Sequence, residues 1–365
     1  MKILFFNWRD ILDPLAGGAE AYIHEIGKRL ARDNEVYLYC RRYEGSEPTG
    51  DIDGIKIIRK GGSFSLYLHA MYDYIFKLRI KNFDLVVDDI NGVPFFTPIF
   101  IRKPKVAIMH HVVGREIFFK ELPFPLAIAG WIAEKMIPLV YRKVPMIAVS
   151  SSTRDELIGF GIAAERISIV NNAIEKHDHG AVKKSETPLI VYLGRIKIYK
   201  QLDHLLQAFA EVIASVPQAV LNIAGRGDCT ELAKLAEGLG LKQSVNFIGE
   251  VSEEQKYDIL ERAWVFVTPS FKEGWGITVI EANSCGTPAI AYNVSGLRDS
   301  IKHEKTGLLV SPGDIHGLAQ AILRVVRDAE LRSELGRHAL EWSSGFSWDR
   351  SAEAFSGVLM KALQC

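Results

Sequence analysis

The chain has 365 residues, 48% hydrophobic and 24% charged, with 44 basic and 44 acidic side chains and a formal net charge of zero. The composition is globular, the length is enough for two ordinary domains, and the balanced charge gives nucleic-acid binding no electrostatic footing. The cysteines Cys40, Cys229, Cys285 and Cys365 are scattered with no CxxC pair, which argues against a zinc site or a disulfide framework and fits a reducing compartment.

Strands and helices alternate along the chain, which predicts parallel sheets covered on both faces. The first strand is expected at Lys2–Phe6, after which the chain turns polar at Asn7-Trp8-Arg9-Asp10. That apolar run is too short for a signal peptide and lacks a cleavage site, so a cytoplasmic protein is expected. Further strands are predicted at Glu35–Cys40, Ile55–Arg59, Leu85–Asp88, Val106–Met109, Met146–Ser150 and Ile167–Val170, with helices at Gly18–Ala31, Leu66–Lys81, Pro125–Arg142 and Ser152–Phe160. The polar stretch Glu175–Pro188 has no hydrophobic period and reads as a linker.

A second unit follows, with strands at Leu189–Gly194, Val220–Ala224, Val245–Ile248, Val265–Pro269, Ala289–Tyr292 and Gly307–Val310. Helices at Gln201–Ser215, Cys229–Leu239, Glu253–Arg262, Ile277–Ser284 and Asp314–Val326 alternate with them, and two more are expected near Glu330–Ser343 and Trp348–Leu363. The fold class is therefore α/β, with two doubly wound, Rossmann-like domains at 1–180 and 187–345. Open sheets of this kind bind ligands beyond the C-terminal ends of their strands. If both domains turn those ends toward each other, the site is the cleft between them.

The most apolar segment is Leu122–Tyr141, interrupted by Glu134, Lys135 and three prolines, which argues against a membrane span. Two readings stay open. It is a helix packed in the first domain's core, or a surface that docks on a bilayer or a lipid-linked acceptor, helped by Arg102, Lys103, Lys105, Arg142 and Lys143. The second reading places the protein at the inner face of the cytoplasmic membrane.

Glu273 and Glu281 bracket a glycine-rich stretch, Glu273-Gly274-Trp275-Gly276-Ile277-Thr278-Val279-Ile280-Glu281, that follows the strand Val265–Pro269. The first carboxylate is expected in a loop at a strand end, and the second about two turns into the next helix, roughly on the same side. Glycines admit close backbone approach and a helix start favours an anion, so a phosphate and a polyol could be held together here. Two unrelated surface acids at a helix start are the structural alternative.

This block resembles the E-x7-E element, E-[GP]-x-G-x-x-x-x-E-A, of the retaining glycosyltransferases of family 4 (glycosyl transferases group 1), which have the two-domain GT-B fold. The resemblance implies that Glu273 meets the donor sugar and Glu281 the ribose, with Gly274, Trp275, Gly276, Ile277 and Thr278 completing the donor loop. Leu193-Gly194-Arg195-Ile196 with Lys200-Gln201-Leu202 resembles the family's G-R-[LI]-x-x-x-K-[GQ]-[LI] element. Two cations at that strand end can stabilise the charge developing on a departing diphosphate, a task other transferases give to a metal. A lysine at a helix start is electrostatically misplaced unless an anion joins it.

Gly225-Arg226-Gly227-Asp228 resembles the family's G-x-G segment at the nucleotide, and Ile248-Gly249-Glu250-Val251 falls where the family meets the base largely through backbone. Gly17-Gly18-Ala19-Glu20 resembles its G-G-x-E loop, where two glycines at a helix start admit donor phosphates or the acceptor. The family often has a histidine at the end of the strand Val106–Met109, which carries over to His110, with His111 the weaker candidate. It also implies a final helix, about 346–365, crossing back to the first domain. Asp88-Asp89 lacks the spacing and context of a metal-binding D-x-D and reads as strand-end acids near the acceptor.

The expected activity is metal-independent, retaining transfer from a UDP- or GDP-linked sugar to a hydroxyl acceptor, lipid-linked or a glycan precursor. No metal and no cofactor are expected, the nucleotide-sugar being a co-substrate. The catalytic set is Glu273, His110, Arg195 and Lys200. Gly17, Gly18, Gly194, Gly225, Arg226, Val251 and Glu281 join the 273–278 loop in binding donor. A non-catalytic nucleotide-sugar-binding protein and a nucleotide-sugar epimerase are the alternatives.

Overall fold

The computed structural model describes residues 1–175 and 183–364. Residues 176–182 of the expected linker, the first-domain limit at 180 and Cys365 lie outside these. The chain divides into two units, Met1–Ala173 with Trp348–Cys365, and Ile174–Ser347.

In the first unit the strands are β1 (Lys2–Phe6), β2 (Glu35–Cys40), β3 (Thr49–Ile52), β4 (Ile55–Arg59), β5 (Leu85–Ile90), β6 (Lys105–Met109), β7 (Met146–Ala148) and β8 (Ile167–Ile169). They pair in the order β3-β4-β2-β1-β5-β6-β7-β8. Every pairing is parallel except β3 with β4. β5 is buried at all six positions, as a strand covered on both faces must be. The antiparallel β3–β4 hairpin turns on Asp53-Gly54, both at positive φ, with Ile52 opposite Ile55.

The second unit runs β9 (Leu189–Leu193), β10 (Val220–Ala224), β11 (Val245–Gly249), β12 (Val265–Thr268), β13 (Ala289–Tyr292) and β14 (Gly307–Val310), in the all-parallel order β11-β10-β9-β12-β13-β14. Its chain path reverses direction between β9 and β12. In the first unit the reversal falls between β1 and β5. At such points the connections leave on opposite faces and open a crevice beyond the strand ends, which is where α/β sheets receive ligands.

Two expected helices differ. Pro125–Arg142 is broken into Phe124–Lys135 and Ile137–Val140, because Pro138 cannot donate within a continuous helix. Leu66–Lys81 is an α-helix only over Leu66–Asp73, then a wider turn over Tyr74–Leu78 and a tighter one over Arg79–Lys81. The helix Trp348–Gln364 closes the first unit. Its buried positions, Trp348, Ser351, Ala352, Phe355, Val358, Leu359 and Ala362, repeat at helical spacing. Phe355 stacks on Phe5 of β1, and Trp348 meets Tyr22 edge-on.

Candidate functional site

The loop after β9 and the loop after β12 meet at the second unit's reversal point. Lys200 Nζ donates to Glu273 Oε1, and both side chains are well shielded, 13% and 18% exposed. Burial works against the Lys200 charge, but Glu273, with Tyr199 and Tyr192, overcomes it and raises the pKa. Arg195 lies nearby: its Nη2 donates to the Tyr199 hydroxyl at 3.3 Å, and the Tyr192 hydroxyl donates to its carbonyl at 2.9 Å. Arg195 itself is exposed. Arg195, Lys200 and Glu273 thus gather around Tyr192, a residue with no motif to announce it.

The glycines fit these loops together. Gly194 N–H donates to Ala224 at 3.0 Å and Ile196 N–H to Arg226 at 2.8 Å, so the β9 and β10 loops lie side by side. A Cβ on Gly225, at φ +139, would stand 1.9 Å from the Gly194 oxygen. Glycine is therefore required there by loop packing alone. Arg226 is half-buried. Val251, after β11, packs on the second unit's core and precedes Ser252, which caps the helix Glu253–Arg262 by accepting from Gln255 N.

The second carboxylate has a different environment. Gly276 adopts φ +87 just before the helix, which starts at Ile277 as expected, so Glu281 sits little more than one turn in, not two. It is 8% exposed and accepts from Lys256 Nζ at 2.6 Å, while Lys256 also reaches Glu253 at 2.5 Å. Burial pushes the Glu281 carboxyl up, and Lys256 opposes this. The Lys256 ammonium is penalised by burial in turn, yet Glu281 and Glu253 outweigh the penalty and raise its pKa. Lys256 was not singled out from sequence. The available signal was its place four residues before the buried Leu260, on the apolar stripe of an otherwise polar helix.

Of the remaining residues expected in the donor loop, Gly274 and Thr278 are half-buried. Trp275 turns its ring into a cluster with Ile174, Ile280 and Phe346, and Ile277 packs on the same cluster. The Trp275 side chain is thus core; what it offers a ligand is backbone.

In the first unit the residues after β1 and β5 converge. Gly17 caps the helix Gly18–Leu30, but its N–H is already taken by Glu20 Oε2 at 2.8 Å. Glu20 is buried and pairs with Arg9 Nη1 at 3.3 Å. The helix start expected to admit donor phosphates or the acceptor thus holds an internal carboxylate at its N-cap N–H. Gly18 is the next residue, at the first helical position.

Asp88 and Asp89 point to opposite faces of β5, as neighbours in a strand do. Asp88 accepts from Thr97 N, Thr97 Oγ1 and Tyr141, and holds the following loop rather than facing an acceptor. Asp89 Oδ1 meets His110 Nε2 at 2.8 Å. Burial lowers the His110 imidazole, while Asp89 and Glu20 raise it, and the net shift is upward. His111 is half-buried. Among the described residues no group of three or more His, Cys, Asp or Glu could hold a metal ion.

The segment Leu122–Tyr141 is not wholly core. Its helix Phe124–Lys135 buries Ala127, Gly130 and Glu134, with Gly130 against the Phe118 ring, and leaves Phe124 and Ile132 exposed; Leu139 beyond it is exposed too. Among the described residues no helix is long and apolar enough to cross a membrane.

Known proteins bear on this arrangement as follows. The family described as Glycosyltransferase Family 4 matches residues 16–177, and that described as Glycosyl transferases group 1 matches residues 173–342. The D-inositol 3-phosphate glycosyltransferase of Corynebacterium jeikeium is 34% identical over 176 residues, 46% of this chain and 42% of that protein. The alignment thus takes in less than half of that relative's length. Sucrose-phosphate synthase from Thermosynechococcus elongatus superposes with a TM-score of 0.78 at 20% identity, covering 98% of each chain. Alr3699/HepE of Anabaena, solved with UDP and glucose, gives 0.75 at 18% identity, covering 99% of this chain and 100% of that one. The fold is the expected GT-B fold, and the chain belongs to the family 4, group 1 glycosyltransferases.

Proposed function

We propose that this chain is a retaining, metal-independent glycosyltransferase that moves a hexose from a UDP- or GDP-linked donor to a hydroxyl acceptor. The observation that carries this is the Lys200–Glu273 pair beyond β9 and β12, with Arg195 beside it. It sets cations and a carboxylate where a doubly wound sheet receives its ligand. The complex of Anabaena HepE with UDP and glucose supports a nucleotide-sugar donor for the fold.

In this reading Arg195 and Lys200 stabilise the diphosphate as it leaves, and an arriving diphosphate competes with Glu273 for Lys200. Glu281, held by Lys256, accepts from the ribose hydroxyls. Glu273 orients the sugar and faces the positive charge that grows at the anomeric carbon. The acceptor hydroxyl attacks from the side the diphosphate leaves, and a diphosphate oxygen takes its proton. His110, fixed by Asp89, positions sugar or acceptor. The two cations supply the charge stabilisation a metal would otherwise give.

The acceptor is a glycan precursor or a lipid-linked hydroxyl, reached at the inner face of the cytoplasmic membrane. Phe64, Leu68, Tyr72, Phe76 and Ile80 recur every fourth residue and are all more than half exposed, with Lys77, Arg79 and Lys81 beside them. An apolar stripe edged with cations fits an anionic bilayer. Phe124, Ile132 and Leu139 add a second exposed apolar surface in the same unit.

A thermal-shift screen against UDP-, GDP-, ADP- and dTDP-sugars, followed by turnover with and without a chelator, tests the reading. A donor at ~100 times its dissociation constant adds about 2.7 kcal/mol of stability. Turnover abolished by chelator and restored by magnesium or manganese would overturn metal independence, and inversion at the anomeric carbon would overturn retention.

A further inference from the structure

A cavity of about 580 Å³ in the second unit is lined by Lys184, Trp264, Ser284, Arg332, Ser333 and Arg337, among others. Its position separates it from the donor residues. Lys184 precedes β9 and Trp264 immediately precedes β12, so the cavity opens at the N-terminal edge of the parallel sheet. Gly194, Gly225 and Glu273 all follow the C-terminal ends of their strands.

Three cations line it, and among the described residues none has a carboxylate partner. Lys184 Nζ donates to the Cys285 carbonyl at 3.2 Å and to Thr287 Oγ1 at 2.6 Å, both uncharged. Arg332 lies 3.9 Å over the Trp264 ring and donates to the Val325 and Val326 carbonyls at 2.9 and 3.0 Å. Arg337 Nη2 meets His338 Nε2 at 2.8 Å. Burial lowers the Lys184 ammonium to about 8, Glu261 offsetting only part of it. The carboxylate of Asp328 is engaged by Leu331 N–H, at the cap of the helix Ala329–Ser343. Lys184 and Arg332 are half-buried, Glu261 and Asp328 offset only part of the cost of their burial, and such cations gain from an anion that desolvates with them. The first turn of that 15-residue helix lines the same cavity and adds its positive end. Leu340 supplies an apolar wall, and the volume suits a small organic molecule better than a lone ion.

We propose that this cavity binds a small phosphate monoester, its phosphate met by Lys184, Arg332 and Arg337 and its carbon body lying against Leu340. The site is separate from the donor residues, and its existence does not depend on the proposed transfer reaction. Calorimetry with glycerol 3-phosphate, with glycerol as control, tests it on the wild type, Arg337→Gln and Lys184→Gln. Arg337 is exposed, so its replacement leaves the fold undisturbed. Glycerol 3-phosphate binds and glycerol does not, the affinity falls on the order of tenfold in each variant, and saturating UDP leaves it unchanged. Displacement by UDP would mean that the phosphate occupies the donor residues and would overturn the proposal. Undiminished affinity in Arg337→Gln, or no binding by the wild type, would do the same.

Discussion

Each carboxylate that brackets residues 273–281 has its own lysine, and the two pairs differ in what surrounds them. Glu273 shares Lys200 with a half-exposed loop beside Arg195, whereas Glu281 and Lys256 are both nearly buried. The ribose contact proposed for Glu281 would be made alike in ground and transition states, so Glu281→Gln is expected to raise KM for donor with little change in kcat. Under the proposed mechanism Glu273→Gln keeps shape but removes charge beside the anomeric carbon, and kcat is expected to fall on the order of 10²-fold. Steady-state kinetics with a working donor–acceptor pair decides; a Glu273→Gln variant that stays folded and keeps kcat within a few-fold of wild type sinks the assignment. Lys256→Met strands a buried carboxylate, so it should lower stability by about 3 kcal/mol and raise KM as Glu281→Gln does. Chemical denaturation alongside the same kinetics checks this, and an unchanged KM would leave Lys256 a purely structural residue.

Among elements, the two loops that meet beyond β9 and β12 were legible because their glycines and charges stand close together in sequence: Gly194-Arg195 with Lys200, and Glu273 through Glu281. Lys256 was not, because its place on the apolar stripe of a polar helix marks burial but does not reveal its partner Glu281. Strand β3 was missed because Thr49–Ile52 is polar and mostly exposed, although Asp53-Gly54 between two isoleucines is a hairpin signal. The helix after Glu273 starts at Ile277 as expected, but Glu281 sits little more than one turn into it, not two, because Glu273, Gly274, Trp275 and Gly276 all precede its first turn. Trp275 was read as a ligand contact from its neighbours, while its ring belongs to an apolar cluster whose other members come from distant sequence.

The end of the linker before β9 carries a pH prediction. Lys184 has its pKa lowered by burial to about 8 from an ordinary 10.5. Below pH 8 it is charged in both folded and unfolded chains and the burial penalty is complete. Between about 8 and 10.5 the unfolded chain binds more protons, so stability rises with pH. Relative to Lys184→Met, the wild type should gain on the order of 1 to 3 kcal/mol across that interval, read from urea midpoints at several pH values. A difference flat with pH would show that Lys184 is not held in a desolvated place. The stripe from Phe64 to Ile80 has its own test: Phe76→Asp with Ile80→Asp, both exposed, should reduce co-sedimentation with anionic liposomes. Trp131→Asp with Ile132→Asp probes the second surface. A wild type that ignores anionic liposomes ends the membrane reading for both.

For the molecule as a whole, the first unit is discontinuous. Removing residues 348–364 takes Trp348, Phe355 and Leu359 from its core. At ~1.5 to 3 kcal/mol for each large apolar side chain, the loss rivals the net stability of a domain, about 5 to 15 kcal/mol. The truncated chain is expected to lose hydrogen-exchange protection in β1 and β6 while keeping it in β9 and β12. Protection retained throughout would mean that the helix decorates a unit already complete.

That helix also sets a timetable. A ribosome joins residues 174–347 before residue 348, so the unit that begins first is completed last. Through that interval Phe5, Tyr22 and their neighbours have no helix to cover them, and the nascent first unit offers an apolar face to chaperones or to other chains. A slow stretch of translation after residue 347 would lengthen the exposure, whereas one before residue 174 would not. Yield of folded protein should therefore respond to how promptly the final helix emerges.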